Sequence, residues 1–143
     1  MYRALLLGHG ELAVELLRSV EMILGRQPAD QVAALPLPQG KDLALYQTEI
    51  ETFVKEGSPA NGCLIFTDIA GGSPFITAAK VYRTLHEMVP LEIITGMNLP
   101  MLIETLTARE ESSLAQGCKV AHKEGSDGIQ VFSERLNVAT PLR

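Results

Sequence analysis

The sequence contains no run of about 18 apolar residues, the length a membrane-spanning helix needs. No secretory leader is expected, because Met1-Tyr2-Arg3 leads straight into an apolar, strand-like segment. Positive charge is not in excess: 12 Lys and Arg against 17 Asp and Glu leave a net charge of −5. A nucleic-acid binder normally presents a basic stripe to phosphates, so no nucleic-acid partner is expected. An anionic membrane surface is disfavoured for the same reason. Cysteine is scarce, with Cys63 and Cys118 in neither a close pair nor a metal-like spacing. They are expected to be buried free thiols in a reducing cytoplasm, with no disulfide and no metal site. Linkers, repeats and low-complexity stretches are missing as well. What is present is a chain of 143 residues, 46 % hydrophobic and 20 % charged, enough for the core of one domain spanning 1–143.

Apolar runs alternate with amphipathic stretches. Ala4-Leu5-Leu6-Leu7, ended by Gly8, has the continuous apolar character of a strand buried on both faces. Leu12, Leu16, Val20, Ile23 and Leu24 recur at helical spacing between Glu11 and Leu24, and Gly25 is placed to end that helix. A strand over 32–37, a helix over 42–55, a strand over 62–67, a helix over 73–88 and a strand over 91–94 follow in turn. A further helix begins near Asn98-Leu99-Pro100, with Asn98 as its N-cap, and a charged helix is expected over 107–116. This rhythm predicts an α/β fold: a doubly wound, mostly parallel sheet with helices on both faces. About four parallel strands are expected, and Ile129-Gln130-Val131-Phe132 reads as one more strand at the sheet edge of its own or a neighbouring subunit.

In such a sheet, ligands bind at the carboxyl ends of the strands, near the point where strand order reverses. Gly8-His9-Gly10 follows the first strand, Thr67-Asp68 and Ala70-Gly71-Gly72-Ser73-Pro74 follow the third, and Thr95-Gly96-Met97-Asn98 follows the fourth. Three loops thus bring an imidazole, a carboxylate, a hydroxyl and several glycines to one edge. Glycines beside His9 leave room for another protein's phosphorylated group to approach. Imidazole titrates near about 6.5 in ordinary peptides, so a histidine is largely a neutral nucleophile at cytoplasmic pH. Asp68 can hold one ring nitrogen and fix the tautomer, leaving the other free to attack. With Ser73 as N-cap and Pro74 at the first helical position, backbone N–H groups and the helix dipole would face an incoming phosphate. This chemistry needs neither metal nor cofactor. His86 and His122 lie in a helix end and a polar tail, and Met88, Met97 and Met101 suit packing.

These residues resemble a known family. Leu7-Gly8-His9-Gly10, Ala13 to Leu24-Gly25, Thr67-Asp68 with Gly71-Gly72-Ser73-Pro74-Phe75, and Ile94-Thr95-Gly96-Met97-Asn98-Leu99-Pro100-Met101 are together similar to the enzyme IIA components of the mannose class of bacterial phosphoenolpyruvate-dependent sugar phosphotransferase systems. The resemblance covers about residues 2–106. It implies that His9 takes phosphate from the histidine-containing phosphocarrier protein and passes it to a cognate enzyme IIB. It implies that Asp68 orients His9 and that Ser73 and the following helix start help hold the phosphate; Gly8, Gly10, Thr67, Gly71 and Gly72 are the other residues expected to bind or support it. It also implies a cytoplasmic homodimer in which the C-terminal segment, about 125–143, is exchanged between subunits, reaching the membrane only through the transporter components. The chain departs from the family pattern at Gly8, where Ser or Thr is usual, at Glu11, where Gly is frequent, and at Ala70, where Phe is common. The phosphoryl-donor subunit of dihydroxyacetone kinases and a regulatory module phosphorylated on His9 are the alternatives.

Overall fold

The computed structural model describes residues 1–136. Four strands form one all-parallel sheet: β1 (Arg3–His9), β2 (Val32–Leu37), β3 (Cys63–Thr67) and β4 (Leu91–Ile94), in the order β2-β1-β3-β4. The register pairs Leu5 with Ala33 on one side and with Ile65 on the other. Side chains alternate across a strand, so β1 feeds two cores. Ala4 and Leu6 face α1 (Leu12–Leu24), α4 (Leu99–Ala108) and α5 (Leu114–Asp127) through Ala13, Val20, Leu102 and Ala121. Leu5 and Leu7 face α2 (Leu43–Glu56) and α3 (Ser73–Leu85) through Tyr46, Ile50, Ala78 and Val81. Both cores exclude solvent fully at β1 and β3, and each leucine buried this way contributes about 1.5–3 kcal/mol. That is why these strands read as unbroken apolar runs.

Helix limits follow local chemistry. Asp42 accepts a hydrogen bond from the Ala44 N–H and starts α2. Asn98 accepts from the Met101 N–H at 3.0 Å and starts α4, while its amide donates to the Gly125 carbonyl on α5. The charged helix expected over 107–116 is instead two pieces. α4 stops at Ala108, a 3-10 turn occupies Arg109–Glu111, and α5 begins afresh at Leu114. The reason is a capping box, in which Ser113 and Gln116 each satisfy the other's backbone N–H. Cys63 is buried as expected, but Cys118 on α5 is only half-buried.

The fifth strand expected over Ile129–Phe132 is not formed. α5 continues to Asp127, residues 129–131 pair with no strand, and Phe132–Leu136 is a short helix, α6. A strand exists only against a partner for its hydrogen bonds, and this segment bonds to no strand among the described residues. Ile129, Val131, Phe132 and Leu136 are exposed, and β4 is bonded on one side only. The rest of the segment expected to exchange between subunits, 137–143, lies outside the described residues.

Candidate active site

Strand order reverses between β1 and β3, since the chain leaves β1 toward β2 on one side and returns to β3 on the other. His9 is the last residue of β1 and Asp68 the first after β3, so adjacent strand ends deliver both groups to the switch point. The Asp68 Oδ2 lies 2.6 Å from His9 Nδ1 and also accepts from the His9 backbone N–H at 2.9 Å. Oδ1 accepts from the Ile69 N–H at 2.8 Å. Burial raises the Asp68 pKa, but the hydrogen bonds from the His9 backbone, the His9 ring and the Ile69 N–H outweigh it, and the net result lies below the usual carboxylate range. Asp68 is therefore an acceptor, and Nδ1 carries the proton between them. The free ring nitrogen is Nε2, on a side chain 52 % exposed, against 9 % for Asp68.

The ring lies against the start of α3. A Cβ on Gly72 would come within 2.7 Å of His9 Cε1 and 3.2 Å of Nε2. Gly72 is thus required by space, not by its backbone, whose φ of −80° suits any residue. The N-cap of α3 is Gly72 rather than Ser73, which is the first helical residue, with Pro74 second. Proline is tolerated there because a first-turn N–H has no intrahelical acceptor anyway. The consequence is chemical: the Ser73 side chain makes no capping bond and stays available, and the Ser73 and Phe75 N–H groups have no backbone acceptor. An anion on Nε2 would meet these donors and the positive end of the α3 dipole.

The other expected residues occupy different surroundings. Gly10, with φ of 58°, exchanges backbone hydrogen bonds with Leu37 at 2.8 and 3.0 Å and ties the His9 loop to the end of β2. Gly8 is buried, and a Cβ there would meet Ala13 N and Met97 Cε at 3.4 Å, so a small side chain would nearly fit. Thr67 is wholly buried with its hydroxyl unpartnered, and does not open to the surface. Gly71 and Ala70 are exposed. The loop after β4 does not join His9. It buttresses Asp68 instead: Gly96 N–H donates to the Asp68 carbonyl and Met97 N–H to that of Thr67, both at 3.1 Å.

His9, Gly10 and Ser73 line a groove of about 430 Å³ with Pro38, Lys41 and Leu43. Sequence reasoning followed the loops after strands one, three and four and missed this one, from β2 to α2. The signal was available, because a strand beside β1 must open at the same edge. A larger hollow, about 560 Å³, runs along β4 and α5 and contains neither His9 nor Asp68. Among the described residues, no three His, Cys, Asp or Glu side chains cluster as metal ligands, and no helix is long and apolar enough to cross a membrane.

Residues 4–121 match the family described as PTS system fructose IIA component. The chain belongs to that family. It is 28 % identical over 136 residues to the PTS system fructose-specific EIIA component of Bacillus subtilis, covering 95 % of this chain and 90 % of that protein. It is 29 % identical over 128 residues to the PTS system mannose-specific EIIAB component of Escherichia coli, covering 89 % of this chain and only 38 % of that protein. This IIA-family chain therefore spans well under half the length of the latter relative. A crystal structure of phosphotransferase system component EIIA from Streptococcus agalactiae superposes with a TM-score of 0.85 at 22 % identity, over 93 % of this chain and 98 % of that one. A mannose/sorbose-specific IIA subunit from Enterococcus faecalis gives 0.68 at 23 %, over 91 % and 93 %. Both share the fold of this family member.

Proposed function

We propose that this IIA-family protein is a cytoplasmic phosphotransferase of a sugar phosphotransferase system, carrying the phosphoryl group on Nε2 of His9. The histidine-containing phosphocarrier protein supplies the group and a cognate enzyme IIB takes it. The observation that carries this reading is the 2.6 Å bond between His9 Nδ1 and Asp68 on a ring half open to solvent. The Nε2 electron pair forms the new P–N bond while the P–N bond to the donor ring breaks, its pair remaining on the donor nitrogen. A proton on the donor's second nitrogen lets that ring leave as neutral imidazole. The Nδ1 proton stays on His9, and the Asp68 carboxylate balances the imidazolium-like ring that results. The Ser73 hydroxyl and the first N–H groups of α3 receive the phosphoryl oxygens. Neither metal nor cofactor enters the step.

Incubation with phosphoenolpyruvate, enzyme I and the phosphocarrier tests this. The expected product is acid-labile, alkali-stable phosphate on the wild type and none on His9→Gln. Label on the variant, or none on the wild type, refutes the carrier role. Onward transfer to an enzyme IIB separates transport from signalling. We further propose a homodimer. Its support is the β4 edge, bonded on one side only among the described residues, and the exposed Ile129, Val131, Phe132 and Leu136, of which Ile129 shares a hollow with β4. Sedimentation at twice the monomer mass is the expected result, lost when the chain is cut after Gly128.

A further inference from the structure

The groove that holds His9 contains a single cation among its described lining residues, Lys41. Its side chain is only 15 % exposed, it ion-pairs with Glu49 on α2, and its ammonium stands 5.5 Å from the centre of the Tyr46 ring. Lys41 immediately precedes Asp42, the N-cap of α2, so its backbone is anchored while the stem lies back along the helix. In the unphosphorylated protein this charge is paired with Glu49.

Phosphorylation changes the balance of charge in the groove. A phosphoryl group brings about −1.5 to −2 charges at neutral pH, and it arrives beside the ionised Asp68 carboxylate. The α3 dipole supplies only about half a positive charge. Glu11, exposed at the start of α1 and two residues after His9 in the chain, adds a further negative charge. A lysine is a compact charge on a flexible four-carbon stem, able to change partner without moving its backbone.

We propose that Lys41 is a phosphate-holding residue kept in reserve by Glu49: on phosphorylation of His9 its ammonium leaves Glu49 and bonds a phosphoryl oxygen across the groove. The inference rests on His9 being the phosphorylated residue. It makes Glu49 a competitor of the phosphoryl group, so the strength of the Lys41–Glu49 pair sets how tightly this carrier holds its cargo.

The two partners then have opposite effects on cargo and the same effect on stability. The full chain is equilibrated with phosphorylated phosphocarrier protein, and the ratio of phosphorylated to free chain is read by phosphate-affinity gel. Lys41→Met should lower that equilibrium constant about three- to tenfold, and Glu49→Gln should raise it about two- to threefold, the range for one partly screened ion pair. The wild-type value should fall more steeply with salt than that of Lys41→Met. Urea unfolding of the unphosphorylated forms should show both variants losing the same small stability. If the pair is only structural, the two equilibrium constants will match wild type or move in the same direction, and the proposal is overturned. A wild type that takes no phosphate removes the carrier reading itself, whereas a phosphorylated wild type with indifferent variants removes only the role of Lys41.

Discussion

Replacing Gly72 by alanine separates the geometry of the site from the stability of the fold. The new Cβ would stand 2.7 Å from His9 Cε1, where ordinary contact begins at 3.4 Å, a shortfall of about 0.7 Å. Nothing in the backbone resists the change, since Gly72 has φ −80° and ψ 172°, open to alanine. Losing glycine's freedom in the unfolded chain favours the variant by about 0.4–1 kcal/mol. The ring, 52 % exposed, can relieve the overlap by swinging outward. Doing so stretches the bond to Asp68 and draws Nε2 away from the start of α3. A misplacement of this order in a reacting group costs up to about a hundredfold in rate. The expectation is a 10- to 100-fold slower phosphorylation, or about 1.4–2.7 kcal/mol of barrier, with unfolding free energy within about 1 kcal/mol of wild type. Rapid-quench transfer from labelled phosphocarrier gives the first quantity and urea denaturation the second. Wild-type transfer by Gly72→Ala would refute the claim that the ring reacts from its position against α3. A large loss of stability would refute the claim that this glycine serves only the ring.

Asp68→Asn keeps the shape but removes the charge behind the imidazolium-like ring, and should slow phosphorylation about a hundredfold in the same assay. Because hydrogen bonds hold the folded Asp68 pKa below its unfolded value near about 3.9, its carboxylate favours the fold above that pH, and the benefit disappears as pH falls through the lower, folded value. Urea midpoints of wild type and Asp68→Asn should therefore differ above about pH 5 and converge in stronger acid; a difference that grows on acidification would contradict the sign. Gly117→Ala on α5 would place a Cβ 2.5 Å from the Tyr2 ring. It should destabilise by about 1–3 kcal/mol in urea despite alanine's better helix propensity, leaving the specific rate of phosphorylation unchanged. Burial pushes the Cys63 thiol up to about 12, offset only partly by Arg3, and raises the half-buried Cys118 thiol less. Mass spectrometry after iodoacetamide at pH 8 should find slow label on Cys118 and label on Cys63 only in denaturant.

Two positions show why some of the site was legible and some was not. His9 and Asp68 were found because each directly follows an apolar run, and parallel strands must all end at the same edge. Lys41 follows a weaker run broken by Pro36, and its meaning depends on β2 lying beside β1, which no local pattern states. The loop after β4 was placed at the correct edge, but it meets the backbone of Thr67 and Asp68 rather than His9, because it is β3 that stands between β4 and β1. Thr67 alternates inward by strand parity and is covered by the sheet's own helices, which the adjacency Thr67-Asp68 conceals.

Residue order alone carries the alternation of strand and helix, the two-faced burial of β1 and β3, and the gathering of an imidazole, a carboxylate and a glycine-flanked helix start at one end. Each of these follows from short-range pattern and the backbone periods of 2 and 3.6. The strand order, the shift of the α3 cap to Gly72, the 2.6 Å contact across 59 residues of chain, and the helical rather than extended form of Phe132–Leu136 emerge in the folded molecule. Those depend on which distant groups meet through space, and a strand without a neighbour to bond has no reason to be one.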